Sequence, residues 1–166
     1  MGTSGTQHQQ LTMLSELVQR FTNVRKKSES LCLPLSAEDH MLSTTEDTSP
    51  PKWHLGHTSW FFEHFILKKF KHRYESYGPE YDFIFNSYYK QIGKFLHKTK
   101  RNILSRPSIE EIMSYRRYIT ETVMSFVESD SEHNPKILKV LEVGVHHEEQ
   151  HQELLLMDIK RNFFEN

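Results

Sequence analysis

Apolar residues recur at three- and four-residue steps in four stretches of the chain, and polar connectors separate them. In the first stretch Leu11, Leu14, Leu17, Val18, Phe21 and Val24 line one side of a helix expected over about Gln10 to Ser30. Arg25, Lys26 and Lys27 fall late in it, where cations suit the helix dipole, and Pro34 stops any continuation. Residues 33–50 form a polar connector that ends in Thr48-Ser49-Pro50-Pro51. Ser49 is the expected N-cap of a second helix with proline in its first turn, running from about Pro51 to Lys71. Trp53, His57, Trp60, Phe61 and His64 share one face of it. The third helix opens on Ser108-Ile109-Glu110-Glu111, a reciprocal Ser/Glu cap just after Pro107. Its stripe of Ile109, Ile112, Met113, Ile119, Val123, Phe126 and Val127 runs to about Ser129. The fourth starts at Asn134 as N-cap with Pro135 in the first turn. It continues to about Arg161 with Ile137, Leu138, Leu141, Val145, Leu154, Leu155 and Ile159.

Four amphipathic helices without a strong strand signal predict an all-α fold, an antiparallel four-helix bundle. Its irregular part is the long connector between the second and third helices. There Gly78-Pro79 marks a turn, and YDFIFNSYY (81–89) reads as a short helix or a packed loop. Gly93 and the run Lys98-Thr99-Lys100-Arg101 read as a surface connector. Residues 1–9 are polar and read as a frayed or tag-like end, which leaves 10–166 as one helical domain.

The composition narrows the function. A length of 166 residues suits a single domain. With 36 % apolar and 26 % charged residues the chain is neither disordered nor fibrous. Lys plus Arg is 21 and Asp plus Glu is 22, so the basic excess of a nucleic-acid binder is missing. The apolar runs fall far short of the roughly 20 residues of a membrane helix, and no secretory signal pattern opens the sequence. Cys32 is the single cysteine, so no internal disulfide is possible, and a reducing, cytoplasmic setting is expected.

Histidine is unusually abundant, at 11 residues. His147 and His151 stand four apart and differ by about 40° around the fourth helix, so they point the same way. Val140, Leu141, Leu154 and Leu155 bracket the pair, and Gly144 leaves room on that face, so the two rings are expected to point inward. Two buried imidazoles need polar partners or a metal. On the second helix His54, His57 and His64 stand where a histidine faces that pair across the core, the usual construction of a metal site in a bundle. Three imidazoles without a thiolate suit iron, zinc, copper or nickel, and leave positions open for water or substrate. Core histidines with ordinary hydrogen bonds fit the same spacing. Glu153 lies about 200° round the helix from His151, off the metal face. Glu148 and Glu149 are expected to face water. Asp158 is either a surface carboxylate or a partner that accepts an imidazole N–H.

Several ordered segments carry a resemblance. LCLPLSAEDH (31–40), SPPKWHLGHTSWFFEHFIL (49–67), FNSYY (85–89), ILSRPSIEEIMSYRRYI (103–119) and GVHHEEQHQELLLMDIK (144–160) are similar to the N-terminal DinB-like domain of the ergothioneine-biosynthesis sulfoxide synthases. The similarity covers roughly residues 20–162. It implies a mononuclear non-haem iron(II) centre held by three histidines. His147 and His151 match the family's His-x3-His-x-Glu element, with Glu153 in the last place. His57 matches the third ligand in the Trp-x-x-x-His motif, because relatives tolerate other residues at the position of His54.

The same resemblance implies the substrates. Family enzymes use O2 to join cysteine or γ-glutamylcysteine to trimethylhistidine (hercynine), forming a C–S bond and a sulfoxide. Holding the three reactants on one ion makes their encounter an ordered one. Tyr88 and Tyr89 match the paired active-site tyrosines of one branch, where a phenol supplies a proton. Gln150 matches a position that contacts the substrate imidazole. Arg101 and Arg106 are candidates to hold a substrate carboxylate. Family members usually continue into a C-terminal domain resembling formylglycine-generating enzymes, which completes the pocket. The sequence ends at Asn166 without it, which fits a truncated product, one half of a split enzyme completed by a C-terminal partner domain or chain, or a stand-alone domain that kept the metal site. Two other readings stand beside this one: a DinB-like thiol transferase using zinc or nickel, and a non-catalytic helical interaction domain.

Overall fold

The computed structural model of the chain describes residues 3–87, 93–130 and 134–166, with side chains described from residue 12 onward. Among the described residues the regular structure is entirely helical. The elements are α1 (Thr3–Cys32), α2 (Pro51–Phe62), α3 (Lys68–Phe70), α4 (Tyr81–Phe85), α5 (Ile109–Ser129) and α6 (Pro135–Glu165). A π-helical turn, Glu63–Leu67, joins α2 to α3, and 3-10 turns occupy Asp39–Met41 and Lys98–Ile103. No helix among these residues is long and apolar enough to cross a membrane.

α1 starts at Thr3, ahead of the expected Gln10. Extending a formed helix is far easier than nucleating one, and the polar lead-in holds no proline. Leu14, Phe21, Val24 and Cys32 are its buried apolar positions. Arg25 is buried with them at 1 % exposure, so it serves the core and not the helix dipole.

α2 is buried along its whole length, Pro51 to Phe62, and packs between α5 and α6. Its N-cap is Pro50 and not the expected Ser49. The Ser49 side chain is turned to Arg101 instead, and its backbone N–H donates to Asp158. The expected uninterrupted helix to Lys71 widens at Glu63–Leu67 and ends at Phe70. In the wide turn Glu63, Ile66 and Leu67 are all fully buried. Glu63 accepts from the Tyr74 and Tyr115 hydroxyls, the Ser76 hydroxyl and the Tyr77 N–H, so a carboxylate is accommodated in the core.

Two glycines set the spacing around α2. A Cβ at Gly56 would collide with the Phe85 ring, and one at Gly144 would collide with the Phe62 ring. The room that Gly144 leaves on α6 is thus filled by α2. α5 begins with the expected reciprocal cap, Glu111 N–H to Ser108 Oγ at 3.2 Å and Ser108 N–H to Glu111 Oε2 at 2.7 Å. α6 begins with Asn134 Oδ1 accepting from the Lys136 N–H at 3.0 Å. Ile112, Tyr115, Ile119, Val123 and Val127 of α5 and Leu141, Val145 and Leu155 of α6 complete the core.

Candidate metal centre

α2 and α6 bring three histidines together. One ring nitrogen from each of His57, His147 and His151 lies within 4.8 Å of the others. His57 is 1 % exposed. Its ring is stacked between Trp53 (centroids 4.6 Å) and Trp60 (5.6 Å), which fixes its plane. Its Nδ1 is 2.6 Å from the Phe85 carbonyl oxygen. A carbonyl only accepts, so Nδ1 carries the proton and Nε2 keeps a lone pair. That Nε2 is 3.3 Å from His147 Nε2. The His147 ring packs on Phe61 at 4.5 Å, and its Nδ1 is buried without a hydrogen-bond partner among the described residues.

Burial is the main cause that holds all of these rings neutral. It pushes His147 down to about 4, and His57 well below its ordinary value with the help of the adjacent His147. It also pushes His151 far down, with repulsion from His57 and His54 adding to the effect. His54 is lowered too, although Asp158 opposes the shift. Neutral imidazole is the form that binds metals.

The arrangement suits an ion. Two nitrogens each about 2.1 Å from one centre stand roughly 3.0–3.4 Å apart, and the His57–His147 pair is separated by 3.3 Å. Two lone-pair nitrogens facing each other repel unless a proton or a cation lies between them. The orphaned Nδ1 of His147 marks the same shortage of partners. Three nitrogen donors and no thiolate suit iron, zinc, copper or nickel.

The histidines form part of the wall of a pocket of about 560 Å³. Gln150, Lys98 and Arg101 line it too. Arg101 departs from the expected surface connector: it is 4 % exposed, and its guanidinium lies 3.3 Å over the Trp53 ring. Its Nη1 donates to Ser49 Oγ at 3.0 Å. Trp53 therefore carries His57 on one contact and Arg101 on another, which joins the basic residue to the histidine cluster. Arg106 is exposed, donates to the Ser105 carbonyl and does not line the pocket. Tyr88 and Tyr89 lie outside the described residues. His64 pairs with Asp82 at 3.3 Å instead of joining the cluster. Glu153 is exposed and stands apart from it.

Glu148 corrects an expectation. It does not face water; it is fully buried. Arg25 Nη1 donates to it at 2.9 Å, Arg116 Nη2 at 2.7 Å and Ser28 Oγ at 2.7 Å. Against the cost of burial, the two guanidinium groups hold its carboxyl down at about 2. The sequence signal was there: Glu148 stands seven residues after Leu141, three after Val145 and seven before Leu155, inside the apolar stripe.

Comparison with known families matches residues 20–155 to the DinB superfamily. A search of curated proteins finds no match. The match spans most of the chain, which belongs to the DinB superfamily, a family whose domains are often metal-binding.

Proposed function

We propose that this DinB-superfamily chain is the iron(II)-holding domain of an O2-dependent enzyme that joins a cysteine-type thiol to trimethylhistidine, as in ergothioneine-biosynthesis sulfoxide synthases. The observation that carries the reading is the cluster of His57, His147 and His151 on the wall of a 560 Å³ pocket that also presents Arg101, Lys98 and Gln150. That volume is in the range of small-molecule sites. Iron(II) on three protein ligands supplies open positions at which an imidazole, a thiolate and O2 meet.

The protein's own groups bind and orient the substrates. Arg101, stacked on Trp53 and tied to Ser49, is held in one place to take the carboxylate of cysteine or γ-glutamylcysteine. Lys98 adds a second cation on the same wall. Gln150 precedes His151 and offers its amide to the imidazole of trimethylhistidine. Tyr88 or Tyr89 is assigned the proton delivery. Arg106, outside the pocket, is not used. The long helices α1, α2, α5 and α6 form the antiparallel four-helix bundle in this reading, and a formylglycine-generating-enzyme-like domain or chain covers the pocket.

The test is anaerobic loading with Fe(II), addition of trimethylhistidine and either thiol, and then O2, with the sulfoxide followed by mass spectrometry. The assay is run with and without a formylglycine-generating-enzyme-like partner. Iron-dependent sulfoxide, lost in His147→Ala, is the expected result. Thiol transfer with zinc or nickel and no O2 uptake would replace the reading with the transferase. No product under any of these conditions overturns it.

A further inference from the structure

We infer that His54 and Asp158 are positioning residues of the metal centre, acting through His151 to fix which of its ring nitrogens carries the proton. The inference rests on the metal-centre reading above. Asp158 Oδ2 lies 2.9 Å from His54 Nε2 and also accepts the Ser49 N–H at 2.9 Å. A carboxylate oxygen so placed accepts, so the proton of the neutral His54 ring is on Nε2 and its Nδ1 is a lone pair. That lone pair is 3.0 Å from His151 Nδ1, which must then donate. His151 Nε2 is left bare, the state in which an imidazole binds a metal.

The reverse tautomers would place a proton on His151 Nε2 and block ligation. Asp158 is what selects between the two. It is held in turn by the backbone of Ser49, whose hydroxyl accepts from Arg101. His57 reaches the same state by a different route, through the Phe85 carbonyl. Among the described residues His147 has no such partner on Nδ1. Two of the three ligands are therefore set in advance by hydrogen bonds among the described residues.

Two measurements decide the inference. In metal-free protein labelled with ¹⁵N, long-range correlation of the ring nitrogens should show His151 protonated on Nδ1 and bare on Nε2. The opposite tautomer overturns the inference, and this needs no variant. The second is Co(II) titration of the unsubstituted chain beside His54→Phe and His54→Asn. Phenylalanine keeps the ring volume and removes the acceptor, so Co(II) affinity should fall about 10–100-fold. Asparagine puts an oxygen where Nδ1 stood and should recover most of the loss, which a purely structural role for His54 would not produce. Co(II) binding by His54→Phe as tight as in the unsubstituted chain overturns this inference alone. An unsubstituted chain that takes up no Co(II) overturns the metal-centre reading and this inference with it.

Discussion

His147 and Glu148 are neighbours on α6, yet they stand in opposite kinds of polar cluster. Glu148 points into the core, where two guanidinium groups and a serine hydroxyl meet its oxygens at 2.7 to 2.9 Å. Those donors are themselves occupied: Arg25 also bonds Thr120 and Ser59, and Arg116 also bonds the Leu55 carbonyl and Thr58. His147 points into an open pocket, faces a lone-pair nitrogen and finds no partner for its other nitrogen among the described residues. A satisfied buried network fixes packing. A buried polar group short of partners is the mark of a site that expects a ligand. One helix supplies both, and the network beside the site holds the rotation of α6 that aims His147 and His151 at α2.

The contrast can be broken at several points. The largest effect should come from Glu148→Ala, which leaves Arg25 and Arg116 buried without their anion. Urea melts should show a loss of about 3–5 kcal/mol, and a loss under 1 kcal/mol would mean that the network is not closed. Acid should expose the same network. The Glu148 carboxyl is depressed from 4.5 to about 2, so its stabilisation is present above the ordinary value and disappears as pH falls through about 2. The difference amounts to about 3 kcal/mol, visible as a shallower acid-unfolding profile in Glu148→Gln.

The site side should behave in reverse. His147→Ala should leave the metal-free melting temperature unchanged or raised, because a buried nitrogen short of partners among the described residues is removed. It should also abolish the ligand-linked gain, about 2.7 kcal/mol at a metal concentration a hundredfold above Kd. Gly144→Ala tests the coupling of the two regions. The added methyl meets Phe62, so α2 and α6 should be forced apart at a cost of about 1–3 kcal/mol, with weaker metal binding measured by titration. Arg106→Ala should do least. The residue is exposed and outside the pocket, so stability should change by no more than about 0.5 kcal/mol and metal affinity not at all.

The helix caps at Ser108 and Asn134 and the pairing of His147 with His151 were legible in the sequence, because each depends on short spacing along one helix, whereas His57, on α2, was set beside that pair by the family resemblance. Membership of the DinB superfamily was legible in the same motifs. Long-range polar partnerships were not. Nothing near Arg25 announces Glu148, which lies far along the chain, although Arg25 stands four residues after Phe21 and next to Val24 on the apolar face. Arg101 sits in a basic run that looks solvated, and only the fold shows that it stacks on Trp53. The π-helical turn also escaped a reading at 3.6 residues per turn, because the burial of Glu63, Ile66 and Leu67 together follows from partners on α5 and in the connector.

The central claim is that His57, His147 and His151 form one metal centre. Anaerobic Fe(II) titration with metal analysis tests it most directly, on the unsubstituted chain beside His57→Ala, His147→Ala and His151→Ala. The account predicts one tightly held iron per chain and a loss of stoichiometric binding in each variant, with the helical circular dichroism signal retained. An unsubstituted chain that holds no stoichiometric iron, or variants that all retain it, would contradict the account.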